Sequence, residues 1–279
     1  MAVVLITGCA SGFGKLAALH FARQGDTVFA SMRDPSRGAD LARTVEGEKL
    51  SIEILRLDVN DDASVAGAVQ QVVDSAGRID VLVNNAGIGH RGPIEETDDA
   101  EFKEVFETNF FGAMRVTRAV VPHMRKQGAG RIISVSSLAG VVTPPYDGVY
   151  SASKKALEAA CEALYYEVSP FGIKVALIEP GGFETNIENT RRVSRRFTEG
   201  SPYLERSRRF EESLSRLPAA AARGDAQQVA ELIYSVAQEE KPKLRHLVGQ
   251  DAEMIGGLRH QLDDEQFEQT MRQALDFWD

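Results

Sequence analysis

Six short apolar runs rich in Val and Ile recur along the chain, with helical stretches between them, and this alternation restricts the fold more than any other feature. AVVLIT (2–7), TVFAS (27–31), IEILRLD (52–58), IDVLVNN (79–85), RIISVSS (131–137) and IKVALIE (173–179) predict strands. Their near-continuous apolar character suits strands covered on both faces. Helical patterns near 13–24, 61–76, 98–127 and 151–169 supply the covers. Strand and helix taking turns means crossover connections, hence an α/β fold with a doubly wound parallel sheet. No internal repeat, low-complexity tract or Pro/Gly/Ser linker interrupts the 279 residues, so one domain over 1–279 is expected.

Two segments depart from the rhythm. Residues 184–217 hold seven arginines between Arg191 and Arg209, against Glu199 and Glu205, and read as a charged helical lid inserted over one end of the sheet. The segment 252–279 reads as a polar helical tail, broken at Gly256–Gly257. A net charge of −9 argues against a nucleic-acid surface, which needs a basic excess. Two cysteines, Cys9 and Cys161, make no disulfide framework, and five scattered histidines make no metal site. The N-terminal MAVVLITG lacks the basic region of a signal peptide, and no stretch approaches the ~20 apolar residues of a membrane span. A cytoplasmic protein without membrane partners is expected.

The first strand runs directly into TGCASGFG (7–14) and then a helix. Glycines at such a turn let backbone N–H groups and the helix N-terminus approach a pyrophosphate with no side chain between. The spacing Gly8-x-x-x-Gly12-x-Gly14 starts at the strand end, as the turn requires; the alternative register beginning at Gly12 starts too late. A glycine trio alone is also what an ordinary turn shows; after the first strand of an alternating α/β chain it favours a nucleotide site.

TGCASGFG (7–14), NNAG (84–87), Asn109, Ser137, Tyr150-x-x-x-Lys154 and PGGFET (180–185), in this order, resemble the short-chain dehydrogenase/reductase family. The resemblance spans roughly residues 1–250, is closest in style to hydroxysteroid and retinol dehydrogenases, and implies a Rossmann-type fold. It assigns cofactor contacts to Gly8, Ser11, Gly12, Phe13, Gly14, Asp58, Val59, Asn85, Ala86, Gly87, Tyr150, Lys154, Pro180, Gly181, Phe183 and Thr185. In this fold the end of the second strand faces the adenosine ribose, where an acid suits NAD and an arginine suits the 2′-phosphate of NADP. FASMRDPSR puts Met32 there, followed by Arg33, so NADP(H) is favoured and NAD(H) remains possible. Asp34 complicates the choice: were the strand to end later, its carboxylate would meet the ribose and repel phosphate.

Tyr150 and Lys154 stand one turn apart on one helix face. A phenol ionises near ~10, and bringing it to ~7 means stabilising the phenolate by roughly 4 kcal/mol. An ammonium within ~4–6 Å supplies part of that, and an oxidised nicotinamide ring more. The resemblance implies that Tyr150 exchanges a proton with the substrate oxygen and that Ser137 orients it. It further implies that Lys154 holds the nicotinamide ribose and that Asn109 anchors a water in the proton relay. Ser136 points to the opposite face from Ser137, and Lys155 points away from the site. Taken singly, each residue has a plainer reading as a helix-start tyrosine, a solvated lysine, a turn serine or a helix polar group. Asn84, Asn85 and Gly87 suit bracing rather than chemistry.

Ligands bind beyond the carboxyl ends of such strands, so GIGHRGP (87–93) with His90, LAGVVTPPYDG (138–148) and FETN (183–186) should wall a substrate pocket. Leu138, Val141, Val142, Pro144, Tyr146 and Phe183 suit a bulky apolar or aromatic ketone or alcohol. Helices 98–127 and 151–169 resemble those that form a four-helix dimer interface in the family; Phe110, Phe111, Leu164, Tyr165 and Tyr166 belong either there or in the core. A homodimer or homotetramer is expected. The competing functions are a catalytically silent dinucleotide sensor or scaffold, which would usually lack the tyrosine or lysine, and a sugar-nucleotide epimerase, which would need a larger C-terminal domain.

Overall fold

The computed structural model describes residues 1–185, 191–217 and 223–275. Seven parallel strands form the sheet: β1 (Val3–Ile6), β2 (Thr27–Met32), β3 (Ile52–Arg56), β4 (Val81–Asn84), β6 (Gly130–Val135), β7 (Ile173–Pro180) and β9 (Arg245–Val248). Their spatial order is β3-β2-β1-β4-β6-β7-β9. All six expected strands are present, with ends shifted by no more than two residues.

The strands carry apolar side chains on both faces because helices cover both. One layer contains α1 (Gly12–Arg23) and α9 (Ala226–Gln238), packing Phe21, Val229 and Ile233 onto Val4, Ile6 and Ile178. The other contains α3 (Asp62–Ala76), α5 (Ala113–Gln127) and α7 (Gly148–Val168), packing Val69, Val120 and Leu157 onto Leu5, Leu82 and Leu177. The chain builds outward from β1 to β3, then returns to place β4 on the other side of β1. That reversal opens a crevice between the carboxyl ends of β1 and β4.

Three elements of this sheet and its covers had no expectation attached: α2 (Ala39–Glu48), α9 and β9. The expected helix 98–127 is two, α4 (Asp99–Phe106) and α5, joined by a π-helical turn, Glu107–Gly112. Asp98 and Glu101 form a capping box at the start of α4. Phe110, Leu164 and Tyr165 pack against the core, whereas Phe111 and Tyr166 face solvent.

In the expected lid, residues 186–190, including Asn186, lie outside the described ones. The rest holds β8 (Arg192–Val193), which pairs in parallel with β5 (His90–Arg91) just beyond the sheet, and α8 (Leu204–Ser215). Several lid arginines meet acids of this same chain: Arg192 reaches Glu104 at 2.9 Å, Arg208 reaches Glu199 at 3.1 Å, and Arg195 approaches Asp98 at 3.8 Å. Tyr146 adopts φ +67° and stacks on Phe197, with Phe210 and Leu275 in the same small cluster.

The tail does not break at its glycine pair. Helical structure runs through 252–256 into α10 (Gly257–Gln261), because a side chain on Gly256 would meet Leu247 2.8 Å away and glycine permits that approach. The break comes at Leu262–Asp263, where Asp263 caps α11 (Asp264–Ala274) with a capping box. Among the described residues no helix is long and apolar enough to cross a membrane, and no group of three His, Cys, Asp or Glu side chains is placed to hold a metal.

Leu82 sits fully buried at the middle of the sheet. Leu82→Ala should lower the unfolding free energy by about 2–5 kcal/mol in urea titration; a loss below about 1 kcal/mol would contradict this placement of the core.

Candidate active site

A cleft of about 580 Å³ lies over the reversal between β1 and β4. Loops following five neighbouring strands line it: Gly8 and Ser11–Phe13 after β1, Arg33 after β2, Asp58–Asn60 after β3, Asn85–Ile88 after β4, and Ser136 after β6. Tyr150 and Lys154 of α7 and Thr185 complete the wall.

The glycine turn is held by its neighbours. Gly8 has φ +76°, and a Cβ there would stand 2.8 Å from Ala86 Cα; Gly12 has φ +58° beneath Thr185. Both positions require glycine. Gly14 does not line the cleft but packs against Asn85 and Gly8. The N–H groups of Asn85 and Ala86 donate to Thr7 Oγ1 at 3.0 Å, while Asn85 Nδ2 donates to Thr7 O at 2.9 Å. Asn84 donates to Thr117 Oγ1 at 2.9 Å, away from the cleft. Ser11 stands at the head of α1 without a side-chain capping bond, and no acid occupies the helix's first turn. This end of α1 offers open donors and partial positive charge to an anion.

β2 ends at Met32, so Arg33 does follow the strand directly. Asp34 lies beside it but caps the next turn, its Oδ1 accepting from Ser36 N at 3.0 Å and Ser36 Oγ at 2.7 Å. Those bonds hold its carboxyl below the ordinary range. The same turn, Pro35–Gly38, brings Arg37 back to the cleft. Asp58 lines the cleft and accepts from Asn60 N, whereas Asp61, not Asp58, caps α3.

At the other end, Lys154 Nζ donates to Val135 O at 2.8 Å and lies 5.7 Å from the Tyr150 ring centroid. Ser137 acts on the Tyr150 phenol in favour of its ionisation, and its Oγ caps the one-turn helix α6 (Leu138–Val141), accepting from Ala139 N at 3.1 Å. Ser136 goes the other way, donating to Glu158 Oε1 at 2.6 Å. Asn109, in the π-helical turn, accepts from Ile88 N at 2.8 Å, and its Nδ2 donates to Ile88 O and Ser153 Oγ at 3.0 Å each. It thereby fixes the loop beside Lys154.

The expected lowering of the phenol is absent from the chain alone. Burial pushes Tyr150 up to about 12, with Asp147 adding to the rise and Ser137 and Arg191 opposing it. Lys154 moves the other way, lowered by burial to about 8. Desolvation disfavours the charged form of each group and is the largest influence on both.

Several expected residues lie elsewhere. Phe183 is buried against Phe13, ring centroids 5.7 Å apart, so its side chain belongs to the core. Pro180 and Gly181 do not line the cleft either; their turn is strapped by Asp251, whose Oδ2 accepts from Gly182 N at 2.7 Å. His90 is buried in β5, its Nε2 3.4 Å from Ser194 Oγ, and forms no part of the cleft. Lys155, expected only to be solvated, donates to Gly140 O and Val141 O at 3.2 and 3.1 Å. Cleft residues to which no contact was assigned include Arg37, Asn60 and Thr108, while Arg191 and Arg192 come from the expected lid. Arg37 had a local signal, since DPSRG is a turn and a turn can return a side chain to the strand end.

The model of the family described as short chain dehydrogenase matches residues 2–196. The chain belongs to the short-chain dehydrogenase/reductase family. It is 43% identical over 192 residues to a 3-ketodihydrosphingosine reductase of Bacteroides thetaiotaomicron, covering 69% of this chain and 68% of that one. It is 36% identical to human 17-beta-hydroxysteroid dehydrogenase type 1, covering 94% and 81%. A solved short-chain dehydrogenase from Streptomyces avermitilis superposes with a TM-score of 0.82 at 35% identity, over 98% and 96% of the two chains. A family member from Burkholderia phymatum, solved in complex with NAD, gives 0.78 at 25% identity, over 100% and 96%. This dehydrogenase/reductase is thus an oxidoreductase by family.

Its buried lysine has a measurable consequence. Lys154 ionises at about 8 when folded against 10.5 ordinarily, so the unfolded chain binds more protons between those values and stability rises with pH across that window. Lys154→Met should lose this rise when urea unfolding is compared at about pH 8 and about pH 10. An unchanged rise would mean that another group produces it.

Proposed function

We propose that this family member is an NADP(H)-dependent oxidoreductase that interconverts a secondary alcohol and a ketone, or an alcohol and an aldehyde, on a bulky apolar or aromatic substrate. The observation that carries the reading is that Tyr150, beside Ser137 and one helical turn from Lys154, shares its cleft with the glycine turn. The cleft fits a phosphate-bearing dinucleotide: glycine where a side chain would intrude, an uncapped helix N-terminus, and Arg33 and Arg37 at the end of β2. Asp34 also lines the cleft, with its Oδ1 engaged by Ser36, so the preference for a 2′-phosphate rests on Arg33 and Arg37.

Ser11, Gly12 and Thr185 would hold the pyrophosphate, Arg33 and Arg37 the adenosine end, and Lys154 the nicotinamide ribose. When bound, the nicotinamide supplies or accepts the hydride and, oxidised, adds positive charge beside the phenol. Tyr150 donates its proton to the developing alkoxide in reduction and takes the hydroxyl proton in oxidation. In the chain alone the phenol is held protonated, the form that donates. Ser137 orients the substrate oxygen against Tyr150. Lys154, fixed on Val135 O, supplies the charge that makes the phenolate accessible. The two relatives support the substrate class, since their names describe ketones or alcohols on large apolar skeletons.

Tyr150→Phe should reduce turnover by at least about 10²-fold, while NADPH affinity, read by fluorescence titration, changes only a few-fold. Retained turnover on a panel of steroid, sphingoid, retinoid and aryl ketones would end the acid/base role. NADPH should raise the melting temperature more than NADH at equal concentration, because a ligand that binds only the native state stabilises it, and Arg33→Ala should erase the difference. The opposite order would reverse the cofactor assignment.

A further inference from the structure

Glu158 lies one helical turn beyond Lys154 on α7, as Lys154 lies one turn beyond Tyr150. It is 5% exposed and held at both oxygens: Ser136 Oγ donates to Oε1 and Arg245 Nη1 to Oε2, each at 2.6 Å. Arg245 Nη1 also donates to Glu179 Oε1 at 2.9 Å, and its Nη2 to Glu162 Oε2 at 3.0 Å. Glu179 is fully buried, and its other oxygen has no hydrogen-bond partner among the described residues. Gly140 lines this clamp so closely that a Cβ would collide with the Glu158 carboxylate and approach Ser136 Oγ to 2.7 Å. Ser136 also borders the cleft, so the clamp touches the site's wall on one side and the sheet's edge strand on the other.

A buried ammonium needs compensation, and the direct acceptor of Lys154 is a neutral carbonyl, Val135 O. The groups around it are Tyr150, Glu158 and Cys161 on its own helix, Ser136 and the Val135 carbonyl at the end of β6, Gly87, and Asn109. Glu179 and Arg245 stand behind Glu158, whereas Asp147 and Arg191 act on Tyr150. Of these, Glu158 is the carboxylate that acts on Lys154, opposing the effect of burial. Glu179, raised by burial to about 7, shares the same guanidinium.

We propose that Glu158, clamped between Ser136 and Arg245, is a positioning residue that keeps Lys154 charged against the Val135 carbonyl. Its catalytic consequence rests on the proposed roles of Tyr150 and Lys154; its electrostatic part rests on the fold alone. Glu158→Gln keeps the shape and removes the charge. Lys154 then gives up its proton at lower pH, and Tyr150, with less positive charge beside it, ionises at higher pH.

Two readouts test this. The first is a double-mutant cycle in the cofactor-free protein at about pH 7, combining Glu158→Gln with Lys154→Met. Glu158→Gln should raise the unfolding equilibrium constant at least about tenfold more when Lys154 is present than when Met replaces it, and effects that add within about twofold would overturn the proposal. The second is the pH profile of alcohol oxidation, whose half-maximal point should rise by at least about half a pH unit in Glu158→Gln. A loss of rate that is uniform across pH would reduce Glu158 to a structural residue and overturn its catalytic part. If Glu158→Gln does not fold, Glu158→Gln combined with Arg245→Met withdraws both charges of the clamp and replaces it in both experiments. If the wild-type protein turns over no alcohol or ketone, the proposed function fails, while the cycle still decides the charge role.

Discussion

Thr7 and Asn85 hold the fork from which the rest of the site hangs. Thr7 directly follows β1 and Asn85 follows β4, the two strands between which the chain reverses. Thr7 Oγ1 takes two backbone N–H groups from the loop after β4, and Asn85 Nδ2 returns bonds to Thr7 O and Gly8 O. Loops that would otherwise diverge from a switch point are thus tied across it. Gly8 can turn at φ +76° directly against Ala86, and α1 points its free N-terminus into the cleft. Cys9, buried in the same turn, is pushed to a high pKa by desolvation and serves as packing.

The cleft's far end is governed by desolvation. Burial acts in opposite directions on Tyr150 and Lys154, favouring the neutral form of each. The chain alone therefore presents a protonated phenol beside a lysine whose charge needs support. Asn109 contributes rigidity: it ties Ile88 in both directions and reaches Ser153, so the loop beside Lys154 is fixed by a side chain from the π-helical turn.

The strands and the glycine turn were legible in the sequence because buried parallel strands write their environment as unbroken apolar runs, as in VVLI of β1 and VLVN of β4. The tyrosine and lysine were legible because helical spacing is local. β9 was not: it is an edge strand, RHLV, whose Arg245 serves carboxylates on α7 and β7 that lie far away in sequence. A pattern search sees a charged interruption where the fold has a partner. Phe183 misled for a related reason, since its motif lies at the cleft while its ring turns into the core against Phe13. Neighbours fix the direction of a side chain, and a motif does not state them. The phenol's upward shift was equally hidden, because desolvation depends on what surrounds a group rather than on the residue four positions away.

The proposed chemistry turns on where a substrate's oxygen sits. The most direct measurement is a crystal structure of the protein with NADP⁺ and a bound alcohol or ketone analogue. The account predicts the substrate oxygen within about 2.6–3.2 Å of Tyr150 Oη, with Ser137 on its other side and Arg33 against the adenosine phosphate. A substrate oxygen out of hydrogen-bond reach of Tyr150, its carbon nonetheless over the nicotinamide, would contradict it.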